Sequence, residues 1–474
     1  MSTFSGLTSA YTGLNAAQQQ LNVIGQNITN ANTEGYVRQR VTTSAIIAAN
    51  GAPIIAGGPT AGQGVSVDGI ARLANALLDG QVRTTGAANG YWSAQSSTMD
   101  GIEASLGEPS DTGISTSLQA FWTSWQNLSN RPGDAAATSV VLQTAGQVIQ
   151  QVADGYTAVT QQWSALRTAV NSTVADVNQE AQSLAALNDQ IRQTQAAGGT
   201  ANDLTDQRDL LVTKLAAQTG GTARDRGDGM IDFVVGGNAL VSGQSARTVV
   251  ATGAVSLDGA ATAPVQLEFT DKPGQAIALT SGSLTANLGS LQAANATGTG
   301  GAIAEAAASY NALATSIATS VNAIHSTGAS TTGATGLDFF GVTAGLPPAL
   351  GLTVIPTDAS GVAVSTPGAG TLSGDIADRL SQLATSTTGP DSVWSTFVVR
   401  IGNASRAATQ QATITAAASA NAVTNQQSEE SVNTDEETTN MLMFQHAYQA
   451  AARVMTTVDD MLDTLINKTG LVGR

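Results

Sequence analysis

AAATSVVLQTAGQVIQQVADGYTAVTQQWSALRTAVNSTVADVNQEAQSLAALNDQIRQTQAA (residues 135–197) reads as a single uninterrupted helix. Leu142, Ile149, Tyr156, Trp163, Val170, Val177, Leu184 and Ile191 recur every seven residues. Val152, Val159, Leu166 and Leu187 supply a second apolar position, which Thr173 and Glu180 interrupt. Such a repeat lays a narrow apolar stripe along one side of a helix, and the stripe must bury itself against other elements. At about 1.5 Å per residue the helix is roughly 90 Å long. A rod accommodates such an element; a globule does not.

On the N-terminal side, NRPGD (130–134) is a turn, preceded by helices expected at 73–106 and 115–128. On the C-terminal side, AGGTAND (197–203) breaks the helix, and 203–218 returns with Leu204, Leu211 and Leu215 on one face. Further helices are expected at 301–326 (Ile303, Tyr310, Ile317, Ile324), at 374–385, and at 391–427 (Trp394, Phe397, Ile401, Ala404, Ala408). The two ends of the chain carry matching seams. Leu7, Leu14, Leu21 and Ile28 lie seven apart, with Ala10, Ala17, Ile24 and Ala31 three further on. Met441, Tyr448, Met455 and Leu462 do the same in the last helix, with Phe444, Ala451, Val458 and Leu465 at the second position. Both stripes are short and rich in small residues, so neither is stable alone, and the simplest partner for each end is the other. The assembly interface expected from this pairing is Leu7, Leu14, Leu21, Ile24, Ile28, Met441, Phe444, Tyr448, Met455, Val458, Leu462 and Leu465, shared with neighbouring copies. Exposed in a lone molecule, the same stripes suit a chaperone.

Between 222 and 280 the pattern changes to short β-branched runs split by glycine: MIDFVVGG, ALVSG, RTVVATG, VSLDG, VQLEFTD. These read as hairpins. Strands are also expected at 41–47 and 65–67. The expected fold is mainly α with inserted β, in several domains. Terminal helices form a coiled-coil layer (1–34 plus 434–474), and an inner helical-bundle layer follows (35–221 plus 286–336 plus 372–433). A small β-rich outer domain (222–285) is placed at the tip farthest from the chain ends, and 337–371 is a loop or β-flap.

Composition narrows the chemistry. Net charge is −16 over 474 residues, and Lys214, Lys272 and Lys468 are the only lysines, so no basic patch exists to neutralise phosphates and nucleic-acid binding is not expected. There is no cysteine, which removes disulfides, thiol catalysis and thiolate metal sites. His325 and His446 have no third ligand pattern nearby. Gly62 and Gly64 form a GxG without a following βαβ unit, and no G-x-S-x-G stands in strand–turn–helix context. Glu429, Glu430, Asp435, Glu436 and Glu437 read as a helix start, with Thr434 as the cap and acids favoured by the dipole, in preference to a metal site. Asp206, Arg208 and Asp209 read as surface ion pairs. No catalytic set, cofactor or metal site is expected. No apolar run is long enough to span a bilayer, so no membrane insertion is expected. The first 37 residues hold no Lys or Arg, so the charged start of a secretory signal is missing. Export, if any, is expected by another route.

The stretch Asn27-Ile28-Thr29-Asn30-Ala31-Asn32-Thr33-Glu34-Gly35-Tyr36-Val37-Arg38-Gln39 resembles the turn motif of bacterial flagellar axial proteins, with Asn30, Asn32, Thr33, Gly35 and Tyr36 as its motif residues. GQGVSVDGIAR (62–72), ISTSLQAFWTSWQNLSNRPGD (114–134), LNDQI (187–191), LTDQRDLLV (204–212), LDFF (337–340) and VNTDEETTNMLMFQHAYQAAARVMTTVDDMLDTLIN (432–467) follow in order. The terminal motifs are shared by the rod, hook and hook-associated group. The central ones are similar to the hook-associated protein 1 family in particular. Three places depart from the pattern: Ser431 stands where glycine is usual, the tail runs on from Lys468 to Arg474, and the second β segment is short. The resemblance implies a ring of identical subunits at the hook–filament junction, outside the cell, serving as adaptor for the filament. Hook protein, a second junction protein and an export chaperone at the C-terminal helical region are the implied partners, and the flagellar type III apparatus the implied route. A hook or rod subunit, or the second junction protein, is the alternative within the same group. An exported adhesin or hydrolase displayed on an axial scaffold is the alternative of another class.

Overall fold

The computed structural model describes residues 3–46, 62–370 and 372–468. The end of the expected strand at Ile47, the Gly/Pro loop after it and the tail beyond Lys468 lie outside the described residues.

Helix α1 (Thr3–Asn30) leads through a turn into an antiparallel ribbon of β1 (Gln39–Ala45) and β2 (Val65–Arg72). Helix α2 (Ala76–Leu106) starts at Asn75, whose side chain accepts the Leu77 N–H, and stops at Gly107 in the left-handed conformation (φ 60°). Helix α3 (Ile114–Ser129) follows. Then α4 (Ala135–Ala196) runs 62 residues without a break, capped by Asp134, which accepts from the N–H groups of Ala136 and Ala137. Helix α5 (Asn202–Thr219) turns back along α4 and α2. The α2 glycines leave the helix unbroken, and two of them allow close approach to neighbouring elements. A Cβ at Gly90 would lie 2.4 Å from the Ala217 carbonyl oxygen, and one at Gly101 2.4 Å from Gln162 Nε2.

A four-stranded antiparallel sheet follows in the order β3 (Thr222–Asp225), β4 (Ile231–Val235), β5 (Asn238–Ser242) and β6 (Ser245–Ala246). Strands β7 (Val249–Thr252) and β8 (Gln266–Phe269) form a separate pair. Helix α6 (Ser283–Ser290), which hydrophobic periodicity missed because it is only eight residues long, leads to α7 (Ala302–His325). Residues 329–365 form a flap of small strand pairs. Strand β9 (Ala329–Ser330) lies beside β12 (Ala363–Ser365). Strand β10 (Phe340–Val342) and β11 (Leu352–Val354) flank the single turn α8 (Pro348–Gly351). Helices α9 (Asp375–Ser381), α10 (Pro390–Glu430) and α11 (Thr434–Asp463) follow, before a last described turn at 464–468. Helix α10 packs along α2, and α11 packs along α1. The mainly α fold with inserted antiparallel sheets is the one expected.

The buried stripe of α4 runs Val141, Val148, Val152, Val159, Trp163, Val170, Val177, Ala181, Leu184 and Ile191, with Leu142, Ile149 and Leu166 only partly covered. A straight helix of 3.6 residues per turn drifts against a strict heptad, so the seam passes to the neighbouring positions. Thr173 and Glu180 interrupt the heptad but not the stripe, because Val174 and Ala181 take over.

The strands stand in the chain where expected, but the β segment does not lie at the tip farthest from the chain ends. Polar side chains on the C-terminal half of α4 pair with them in order. Asn188 Nδ2 donates to the carbonyls of Ile231 (2.9 Å) and Gly243 (2.7 Å). Asn178 exchanges two 2.8 Å bonds with the Val249 backbone, as a neighbouring strand would. Arg167 donates to the carbonyls of Ala254 (3.1 Å) and Ala251 (3.0 Å). The β segment therefore lies beside the end of α4 nearest the terminal helices, and the end farthest from them is built from α3, α9 and the flap. The reason is chain length: α5 has 18 residues, so it carries the chain only about 27 Å back along α4 before the strands begin.

The flap is fastened by His325, which is fully buried beside Trp125 and Phe339. Nδ1 lies 2.7 Å from the Leu337 carbonyl oxygen, and Nε2 accepts the Ala363 N–H at 2.8 Å. These partners require the neutral ring with its proton on Nδ1. Burial holds the imidazole below its ordinary range, against the pull of the Leu337 carbonyl and Asp338. A depressed histidine contributes stability that is complete above its unfolded pKa of about 6.5 and is lost as pH falls below it. Between pH 7.5 and 5.5 the urea midpoint of the wild-type chain is expected to fall further than that of His325→Gln, which keeps a donor and an acceptor but does not titrate. Equal falls would remove this role.

Candidate assembly interface

Helices α1 and α11 stand apart from the helical body and pack on each other, with α1 also touching the β1–β2 ribbon. Of the expected seam residues, Ile24 and Val458 are buried. Leu7, Leu14, Leu21, Ile28, Met441, Phe444, Tyr448, Met455 and Leu462 are half-buried at the edges of the contact. Leu465 is exposed, because the wide final turn 464–468 carries it off the seam. The most covered residues of α1 are Ala10, Ala16, Ala17, Val23, Ile24 and Asn27. The contact is thus rotated toward the alanine positions, where short side chains let two helices approach closely and leave the leucines at the rim. Tyr11 on α1 and Leu442, Met443, Val454 and Met461 on α11 are exposed, each 49% or more. Two helices alone leave these apolar side chains uncovered, and no other described residue buries them.

Where the pair meets the body, the motif makes two successive turns. The Thr33 N–H donates to the Asn30 carbonyl (2.9 Å) and the Tyr36 N–H to the Thr33 carbonyl (3.1 Å). Asn30 Nδ2 returns to the Gln26 carbonyl (3.1 Å), closing the end of α1, and the Thr33 hydroxyl donates to Asn30 Oδ1 (3.2 Å). Gly35 has φ 79°, a left-handed position that suits glycine, and packs close to Leu210 of α5. Asn32 is exposed. The Tyr36 hydroxyl donates to Asn27 Oδ1 (2.9 Å), and burial, then Asp203, Asp206 and Glu437, push its pKa well up.

The ionic groups of this joint escaped the sequence reading. Asp206 and Asp209 are not surface pairs. Asp206 is 5% exposed, accepts the Val37 N–H at 3.1 Å and pairs with Arg72, which also reaches Asp209 at 2.8 Å. Arg208 joins Asp209 (3.1 Å) and donates to the Gly229 carbonyl (3.0 Å), linking the joint to the sheet. Burial disfavours charge on Arg72, but Asp209 and Asp206 outweigh it and raise its pKa. Burial raises the Asp206 carboxyl, with Arg72 and the Val37 N–H pulling back.

The acidic cluster is a helix start, as expected, but Asn433 is the cap in place of Thr434, accepting the N–H groups of Asp435 (3.0 Å) and Glu436 (3.2 Å). Glu437 turns inward, 2% exposed, and takes Arg38 Nε at 2.7 Å. Glu436 takes the outer nitrogens of the same guanidinium at 2.8 and 3.0 Å and is held below the ordinary carboxyl range by it. Glu430 accepts the Asn75 N–H (2.7 Å), and its backbone carbonyl takes the Arg38 N–H (2.9 Å). No signal local in sequence marks these partners, since Arg38 and Glu437 lie 399 residues apart. Among the described residues no group of His, Asp and Glu has the arrangement to hold a metal ion. No helix among them is long and apolar enough to cross a membrane.

Comparison with known proteins fits this geometry. Residues 99–340 match the family model described as the flagellar hook-associated protein FlgK helical domain. Residues 428–468 match the flagellar basal body rod FlgEFG protein C-terminal model, and 7–36 the flagella basal body rod protein model. Flagellar hook-associated protein 1 of Bacillus subtilis is 31% identical over 523 aligned positions, covering 100% of both chains. Its Salmonella typhimurium counterpart is 34% identical over 52% of this chain and 44% of its own length. In fold, the solved structure of the flagellar hook junction protein FlgK from Burkholderia pseudomallei superposes with a TM-score of 0.61 at 16% identity, covering 73% of this chain and 99% of that one. With rod-type sequences at both ends, a FlgK-type helical body between them and a full-length relative above 30% identity, the chain belongs to the flagellar hook-associated protein 1 (FlgK) family.

Proposed function

We propose that the chain is a structural subunit of the extracellular flagellum, assembling with copies of itself at the hook–filament junction as the adaptor on which the filament starts. The observation that carries this reading is the α1–α11 pair, which shows apolar outer side chains that nothing among the described residues covers. Binding energy comes from many small shared contacts, as in interlocking helical layers. Hook protein on one side and the second junction protein on the other are the flanking partners. Before assembly the same faces suit an export chaperone that holds the C-terminal helical region. The twelve seam residues named from the sequence take part as a pair of surfaces: Ile24 and Val458 inside the pair, the half-buried residues at its rim, and Leu465 at its end.

The test is a clean deletion of the gene in the parent bacterium, with electron microscopy of the cells and an assay of flagellin in the medium. Bare hooks with flagellin shed as monomer are expected, and full filaments on the deletion strain would refute the reading. In the complemented strain, Leu21→Asp, Ile24→Asp or Leu462→Asp is expected to abolish filaments while the β segment stays folded. Normal filaments with Ile24→Asp would exclude the helical pair as the interface.

A further inference from the structure

Asn27 sits at the end of α1 and is 1% exposed. Its amide is saturated. Nδ2 donates to the Gln39 carbonyl oxygen (2.9 Å) and to Glu437 Oε2 (3.3 Å), while Oδ1 accepts the Tyr36 hydroxyl (2.9 Å) and the Gln39 N–H (3.1 Å). The partners stand on three different pieces of chain: the turn after α1, strand β1 and helix α11. Of the neutral side chains this small, only the asparagine amide offers two donors and a two-fold acceptor, so no other satisfies all four. The remainder of the α1 contact is largely alanine and β-branched apolar, which attracts without direction and leaves sliding and rotation cheap. A single buried polar residue in such a seam specifies register.

We propose that Asn27 is a positioning residue for assembly. Its four-way junction fixes the register of α11 on α1 and the angle at which the pair leaves the body, so that adjoining copies meet matching faces. The proposal deepens the junction reading and rests on it.

The experiment uses the full chain in the deletion strain and scores filament-bearing cells per molecule exported. If the wild-type chain fails to restore filaments, the junction reading falls, and this proposal with it. If it restores them, Asn27→Leu is compared with Val23→Ala. Val23, 4% exposed on the same helix, supplies packing and no directional bond, so shortening it weakens the same pair and leaves the junction intact. Val23→Ala is expected to stay near wild type and Asn27→Leu to fall at least roughly tenfold, as buried polar groups lose their partners. Asn27→Asp is expected to fall likewise, because its carboxylate faces two acceptors. Combining it with Glu437→Gln is expected to recover at least roughly threefold, since the glutamine amide then donates to the new carboxylate. Equal filament counts for Asn27→Leu and Val23→Ala would overturn the proposal and leave the junction reading standing. So would a double variant no better than Asn27→Asp alone.

Discussion

Asp206→Ala is expected to destabilise the joint between terminal helices and body by about 3 kcal/mol or more. The change removes the partner of the Val37 N–H and one of the two carboxylates on Arg72, and both groups stay largely out of water. Breaking a buried pair from one side costs more than the pair itself contributes, because a charge is left without its counterion. Asp209, 2.8 Å from the same guanidinium, keeps the loss from being larger. Asp206→Asn retains an acceptor for Val37 and is expected to cost about half as much. Urea unfolding followed by circular dichroism gives the size of the loss, and protease sensitivity of the first and last helices locates it. A change below about 1 kcal/mol for Asp206→Ala would mean that Arg72 and Asp209 hold the joint unaided.

Trp163→Ala is the second large effect expected, about 3–5 kcal/mol. Trp163 is fully buried midway along α4, and its Nε1 donates to the Leu291 carbonyl at 3.2 Å. It sits where the long helix meets the segment between α6 and α7, between the β-bearing and flap-bearing stretches of the body. Alanine leaves a cavity that rigid helices on each side cannot close, and an orphaned carbonyl within it. Trp163→Phe keeps most of the volume and is expected to lose about 1–2 kcal/mol, mainly the hydrogen bond and a partial void. A small loss for alanine would show that the two stretches are fastened elsewhere.

The long helices were legible because their signal is local. Tyr156, Trp163 and Val170 announce α4 wherever the rest of the chain goes, whereas the caps Asn75 and Asp134 emerged only from the structure. The pairing of the ends was legible from Leu14 and Tyr448, but not which face meets which, since an alanine seam differs little in hydropathy from its flanks. The joint was not legible. Asp206 and Asp209 read as surface ion pairs until the fold brings Arg72 of β2 onto α5. The place of the β segment was misjudged for a similar reason. A β segment bracketed by helical stretches suggests an insertion at the far tip, and the shortness of α5 contradicts that. Helix α6, only eight residues long, gives too few turns for a periodic signal.

The bond from Asn27 to Glu437 spans 410 residues of chain, and this sets a timetable. Contacts so distant in sequence close late, after the local ones have formed. Whichever end of the polypeptide appears first must wait, without its mate, for nearly the whole molecule to follow. Until then the first helix has only part of its apolar side covered, and the body can fold without it. Readiness to join a neighbour therefore waits on one event, the arrival of α11, even where the body has already folded.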